Sequence, residues 1–326
     1  MKLATIANGS ADGKLVIVSI DGKLYLDASE TAPTLQAALE RWDDIQEPLA
    51  SLTARLVAGE GAPLDLARLA APLPRAWQWL DGSAYTCHGA LMQKAFDLPP
   101  IETDLPLMYQ GLSHQFLGPY EDVPLPSESD GIDFEGEFGV ITDVVPMGIT
   151  PADALARIKL IVQLNDWSLR VIAPVEMKTG FGWIQAKPAC SVAPFALTPD
   201  ELGGAWRDGR VCLDLAVDWN GMRFGNPNGA PMAFGFHELI AHAARTRSLP
   251  AGTIIGSGTV SNPGYREVGS SCIAERRGIE IVDHGAPRTG FMRFGERVRM
   301  EARLPDGALA FGAIDQRVVR AEASHD

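Results

Sequence analysis

Three acids at alternate positions, Asp133, Glu135 and Glu137 in the run GIDFEGEFGV, are spaced in a way that could do chemistry. Successive side chains of a strand point to opposite faces, so Glu135 and Glu137 share one. The plain reading is a solvated outer face with Phe134 and Phe138 turned inward. Carboxylates gathered away from water instead repel one another, and at least one keeps its proton unless a cation sits among them. Mg²⁺ and Ca²⁺ take carboxylate and carbonyl oxygens and retain some water. A divalent ion therefore explains the pattern if further acids converge on it. Asp166, closing the apolar run KLIVQLND, and Asp81, in WQWLDGSAYTCH ahead of an expected helix, are the candidates. Each alone is otherwise a cap or turn residue.

The elements that must position these acids follow from periodicity. Short alternating runs (KLATIA, KLVIVSI, KLYLD) separated by NGSADG and DG predict strands and hairpins at the start of the chain. A helical pattern follows in TLQAALERWDDIQEPLASLTARLVAG, then a Pro-rich connector. Beyond it, β-like runs dominate: IDFEGEFGVIT, KLIVQLND, VCLDLAVDWNG, GTIIGSGTV, GIEIV and ERVRMEARL. Helical patterns interrupt them at SAYTCHGALMQKAF, TPADALARI and FHELIAHAART. The order is not a regular βαβ alternation, so a β-rich α+β fold with a long mixed sheet is expected rather than a doubly wound one. A small N-terminal α+β domain over 1–72 and a catalytic domain over 73–326 are expected.

With the acids in place, the sequence resembles the fumarylacetoacetate hydrolase family. DFEGEFG resembles that family's strand of metal-binding glutamates, and LNDWSLR its NDxSxR element. KPACSVAP is similar to its lysine-containing loop and GTIIGSGTVS to its SGT loop. The resemblance runs from about Trp77 to FGAIDQ, and implies a mixed-sheet roll or sandwich. It implies Glu135, Glu137, Asp166 and Asp81 as ligands of a divalent cation, Mg²⁺ first with Mn²⁺ or Ca²⁺ as alternatives. His88 follows Asp81 by seven residues and by resemblance is the base that activates water, with Glu275 orienting it. Lys187 and Arg170 would face developing negative charge, and Tyr109, Ser191 and Thr259 would contact substrate oxygens. Family members that cleave fumarylacetoacetate carry a glutamine where this chain has Ala173.

The resemblance implies hydrolysis of the C–C bond of a β-diketo acid of the fumarylacetoacetate or acylpyruvate type, as in aromatic-compound breakdown, and the residue types suit it. A histidine near neutral pKa serves as general base, and a divalent ion delocalises enolate charge as a Lewis acid. Decarboxylation, isomerisation or hydration of a 2-oxo acid at the same site, or a non-catalytic metal-binding oligomer, are the alternatives. A homodimer is expected by resemblance.

Other signals carry less. HELIAH spaces His237 and His242 five apart, about 140° off a shared helical face, against the four that zinc proteases need. GSGTVS lacks the remaining residues of a phosphate loop, and no GxSxG elbow occurs. The net charge of -13, with no Lys/Arg block, argues against nucleic acid or anionic lipid as partners. Four dispersed cysteines read as reduced thiols, Cys87 as a buried one. No apolar run approaches the ~20 residues of a membrane span, and a cytoplasmic protein is expected.

Overall fold

The computed structural model describes residues 1–99 and 103–322. The last four residues of the expected catalytic domain lie outside the described residues. Two sheets dominate. The larger has eleven strands, ten in one path: Ala62–Pro63, Leu24–Asp27, Lys14–Val18, Lys2–Ile6, Ala196–Leu197, Ile158–Asn165, Gly136–Thr142, Thr253–Gly256, Gln78–Gly82 and Met108–Gln110. The eleventh, Ser191–Val192, also pairs with Ile158–Asn165. All neighbours are antiparallel except Thr253–Gly256 with Gln78–Gly82. The smaller sheet runs Met222–Gly225, Leu215–Trp219, Arg297–Arg303, Leu309–Arg320 and Val123–Leu125. The fold is thus β-rich α+β with a mixed sheet.

The sheets pack face to face. Phe138 of the large sheet lies 6.0 Å from Phe311 of the small one, and the Gln163 side chain donates to the Met300 carbonyl at 3.0 Å. The opposite face of the large sheet buries Leu3, Ile17, Leu160, Val162 and Ile254 in one cluster with Leu35, Leu39, Ile45 and Leu49 of the helices Leu35–Leu39 and Trp42–Val57. Central strands covered on both faces read as near-continuous apolar runs rather than alternation, which is why KLIVQLN is almost wholly buried. The first seventy residues therefore extend the same sheet and cover its face.

Two elements differ from the sequence expectation. GIEIV, read as a strand, lies inside the helix Ile273–His284. Its Ile residues mimic strand alternation, but the Asp133 carboxylate accepts from the Ile273 and Ala274 N–H groups at 2.7 and 2.9 Å and fixes a helix start there. The segment VIAPVEMKTGFGWIQ, which falls outside every strand and helix expected above, contains the helix Ala173–Thr179.

Strand direction explains where the acids meet. Gln78–Gly82 and Thr253–Gly256 run parallel; Gly136–Thr142 runs against Thr253–Gly256, and Ile158–Asn165 against Gly136–Thr142. The C-terminal ends of three strands and the N-terminal end of the fourth therefore fall together. Asp81, Glu135, Glu137, Asp166 and the segment Ser257–Ser261 all sit at that one end.

Candidate active site

Asp81, Glu137 and Asp166 are buried, and each offers a carboxylate oxygen within 4.8 Å of the others. Both Glu137 oxygens are buried without a hydrogen-bond partner. Burial, and then Asp166, push Asp81 well above the usual carboxylate range. Burial, and then Asp81 and Asp166, do the same to Glu137. Gly256 stands opposite Asp81 in the strand pair, and a Cβ there would lie 2.4 Å from Asp81 Oδ1 and 2.9 Å from Glu137 Oε2. The glycine leaves the room in which these oxygens meet.

Glu135 is buried beside this trio and outside it. Its Oε1 accepts from Ser168 at 2.5 Å and from Lys187 Nζ at 2.8 Å, and lies 2.8 Å from Arg170 Nη2. Its Oε2 accepts from the Thr259 hydroxyl. Burial opposes the charge on Glu135, but Arg170 and Lys187 outweigh it and hold the carboxyl well below its ordinary range. Arg170 Nε also donates to Asp133 at 2.8 Å, so Asp133 does not join its neighbours: the chain leaves strand geometry between Ile132–Asp133 and Gly136–Thr142. Asp133 faces the helix start and Arg170 instead. Lys187, buried rather than on a solvated loop, donates to Asp166 at 2.6 Å as well. Burial works against its charge, but Asp166 and Glu135 keep the ammonium well above its ordinary range.

Four neighbouring acids, Asp81, Glu135, Glu137 and Asp166, with Asp133 paired to Arg170 behind them, thus face two cations, Arg170 and Lys187. The missing positive charge, the all-oxygen donor set and the unpartnered Glu137 carboxylate fit a hard divalent cation.

The second half of the site is a pair. His88, in the third position of the helix Thr86–Phe96, lies with Nδ1 3.1 Å from Glu275 Oε2. Glu275 is fully buried, on the helix Ile273–His284, and its Oε1 accepts from Ser261 at 2.8 Å. One segment joins the two halves. Gly258 N–H donates to Asp81 at 3.1 Å, Thr259 to Glu135 and Ser261 to Glu275. Gly258 has φ +78°, and a Cβ there would lie 2.3 Å from the Gly82 carbonyl oxygen, so only glycine fits this turn.

Tyr109 stands across from Asp81 in the strand pair, and its hydroxyl donates to Asp166 at 2.5 Å. Ser191 is fully buried, and its oxygen accepts from Trp167 Nε1 at 2.9 Å. Cys87 is half-buried, its thiol 3.4 Å from the Ser261 hydroxyl. Ser168, Ser261, Cys190 and Trp183 were not read from sequence. Cys190 donates to Asp166 at 2.9 Å, and the Trp183 ring packs edge-on to Tyr109. Ser168, Ser261 and Cys190 lie within LNDWSLR, GTIIGSGTVS and KPACSVAP without being singled out there, and no motif marks Trp183. Among the described residues no helix is long and apolar enough to cross a membrane.

The fumarylacetoacetate (FAA) hydrolase C-terminal model matches residues 78–319, and the fumarylacetoacetase N-terminal domain 2 model matches residues 1–75. A 2,4-didehydro-3-deoxy-L-rhamnonate hydrolase of Sphingomonas sp. (strain SKA58) is 28% identical over 197 residues, 60% of this chain and 65% of that one. The mitochondrial oxaloacetate tautomerase Fahd2a of Rattus norvegicus is 26% identical over 157 residues, 47% of this chain and 48% of that one. The matches thus span between about half and two thirds of these relatives' lengths. Maleylpyruvate hydrolase from Sphingobium sp. SYK-6, solved with manganese(II) ion and pyruvate, shares the fold at a TM-score of 0.66 and 18% identity, over 99% of this chain and 100% of that one. The chain belongs to the fumarylacetoacetate hydrolase family.

Proposed function

We propose that the protein is a divalent-metal-dependent hydrolase that cleaves the C–C bond of a β-diketo acid of the acylpyruvate type. The observation that carries this reading is the union, through Ser257–Ser261, of an all-oxygen acid cluster with an imidazole oriented by a buried carboxylate. Asp81, Glu137 and Asp166 would hold the cation, with Glu135 a further oxygen donor beside them. When bound, the cation supplies Lewis-acid polarisation of the substrate's oxygens.

The chain's own residues account for the proton transfers. His88 Nδ1–H donates a hydrogen bond to the Glu275 carboxylate, leaving Nε2 to accept a proton from water. The hydroxide so formed adds to the acyl carbonyl. The C–C bond then breaks, its electron pair leaves with the pyruvyl fragment as an enolate, and the imidazolium returns its proton to that carbon. The products are two carboxylic acids. Lys187 supplies fixed positive charge beside the reacting oxygens. Arg170, tied to Asp133 and Glu135, holds the floor of the site instead of reaching for substrate.

The rat relative's name supports a second reading, keto–enol isomerisation, because the same pair could move a proton on carbon without adding water. Purified protein with Mn²⁺ or Mg²⁺ and an acylpyruvate separates them. Two acids signal hydrolysis, an isomer alone signals tautomerisation, and carbon dioxide signals decarboxylation. Turnover that ignores a chelator contradicts the metal's role.

A further inference from the structure

We propose that Trp183 is a substrate-contacting, specificity-determining residue whose indole N–H donates to a carboxylate oxygen of the bound 2-oxo acid, and that Glu176 is the positioning residue that holds it there. The inference rests on the reading of the site as one that takes an oxo acid.

Trp183 belongs to the segment between the helix Ala173–Thr179 and Lys187. Its neighbours Phe181 and Ile184 are 97% and 84% exposed, whereas Trp183 is turned inward. Its ring meets Tyr109 edge-on at 4.6 Å, and Lys187 Nζ lies 5.5 Å from the Trp183 ring and 5.3 Å from the Tyr109 ring. Tyr109 and Lys187 both donate to Asp166, so the indole is one contact from the acid cluster. Yet Trp183 Nε1 is buried with no hydrogen-bond partner. A buried donor without an acceptor is disfavoured and calls for an explanation. Indole nitrogen is a donor only, and so is the ammonium beside it. An unpartnered N–H on a ring that lies 5.5 Å from an ammonium suits an anionic oxygen, which a 2-oxo acid carries.

A hydrophobic loop would not hold that arrangement unaided. Glu176 holds it: its carboxylate accepts from the Ile184, Gln185 and Ala186 N–H groups at 3.1, 2.9 and 3.0 Å. The next turn is pinned where Leu169 N–H donates to the Ala186 carbonyl at 2.8 Å. Glu176 is only half-buried and outside the core clusters, so its replacement tests the loop without opening the core.

The test uses the Mn²⁺-loaded protein with pyruvate and oxalate as probes in calorimetric titrations, alongside turnover of an acylpyruvate. Trp183→Phe keeps a ring and removes the N–H. It is expected to weaken binding of both probes about tenfold and to raise KM by a similar factor, with kcat within about threefold. Glu176→Ala is expected to raise KM in the same way and Glu176→Asp to restore most of the loss, with circular dichroism unchanged for all three. Probe binding by Trp183→Phe within twofold of wild type overturns the proposal, as does a wild type that binds neither probe. A KM in Glu176→Ala equal to wild type removes Glu176 from it. Failure of the wild type to turn over any β-diketo acid while probe binding still depends on Trp183 would count against the proposed reaction and leave this contact standing.

Discussion

The Tyr109 hydroxyl donates to Asp166 at 2.5 Å although Tyr109 lies in register with Asp81. An edge strand thus reaches across one acid to hold the next, and Asp166 is fixed from three sides by Tyr109, Lys187 and Cys190. Three donors thus converge on Asp166 while none reaches the neighbouring Glu137 carboxylate.

His88→Ala removes the group assigned to water activation. Turnover is expected to fall about 10²–10⁴-fold, the usual worth of a general base, while Mn²⁺ affinity stays unchanged. Steady-state kinetics and metal titration on one preparation check this. Activity within about threefold of wild type means another residue activates water.

Gly256→Ala places a methyl group against Trp79, Asp81 and Glu137. Metal affinity is expected to fall about 10–100-fold, as when ligand-supporting groups are altered. Equilibrium dialysis gives the affinity, and unchanged binding would show the acids have slack to spare.

Asp133→Ala strips one of two buried carboxylate partners from Arg170 and two acceptor oxygens from the start of the Ile273–His284 helix. Breaking a buried pair from one side costs about 3–5 kcal/mol. Denaturant titration should show a loss of that order, and Asp133→Asn, which still accepts from the helix, a smaller one.

Lys2 gives a pH signature remote from the site. Its ammonium is buried, donates to the Ile20 carbonyl at 2.7 Å and lies 5.1 Å from the Phe195 ring centroid. Burial lowers its pKa from 10.5 to about 8, against the pull of Glu201, Asp21 and Asp306. Between those values the unfolded chain binds more protons than the folded one, so stability rises with pH across the window. Wild type is expected to gain up to about 3 kcal/mol relative to Lys2→Met between pH 8 and 10.5. A difference flat in pH contradicts this.

The acids were legible because a charge at the end of a buried strand is costly and therefore conspicuous: Asp166 and Glu137 sit in runs that are otherwise apolar. The strands themselves were legible for the same reason. Local pattern could not show that Asp133, one alternation from Glu135, turns to a helix start 140 residues away. GIEIV misled because its β-branched residues satisfy a strand pattern while the cap that makes it helical comes from elsewhere in the chain. Glu176 and Trp183 were invisible as well, since their roles arise from backbone N–H groups and ring contacts that carry no sequence mark.

The account stands on one cation held by Asp81, Glu137 and Asp166, and paramagnetic titration with Mn²⁺ tests it most directly. Wild type should bind one Mn²⁺ per chain, and Glu137→Gln, folded as judged by circular dichroism, should lose that site. An equal stoichiometry and affinity in the two proteins would contradict the account.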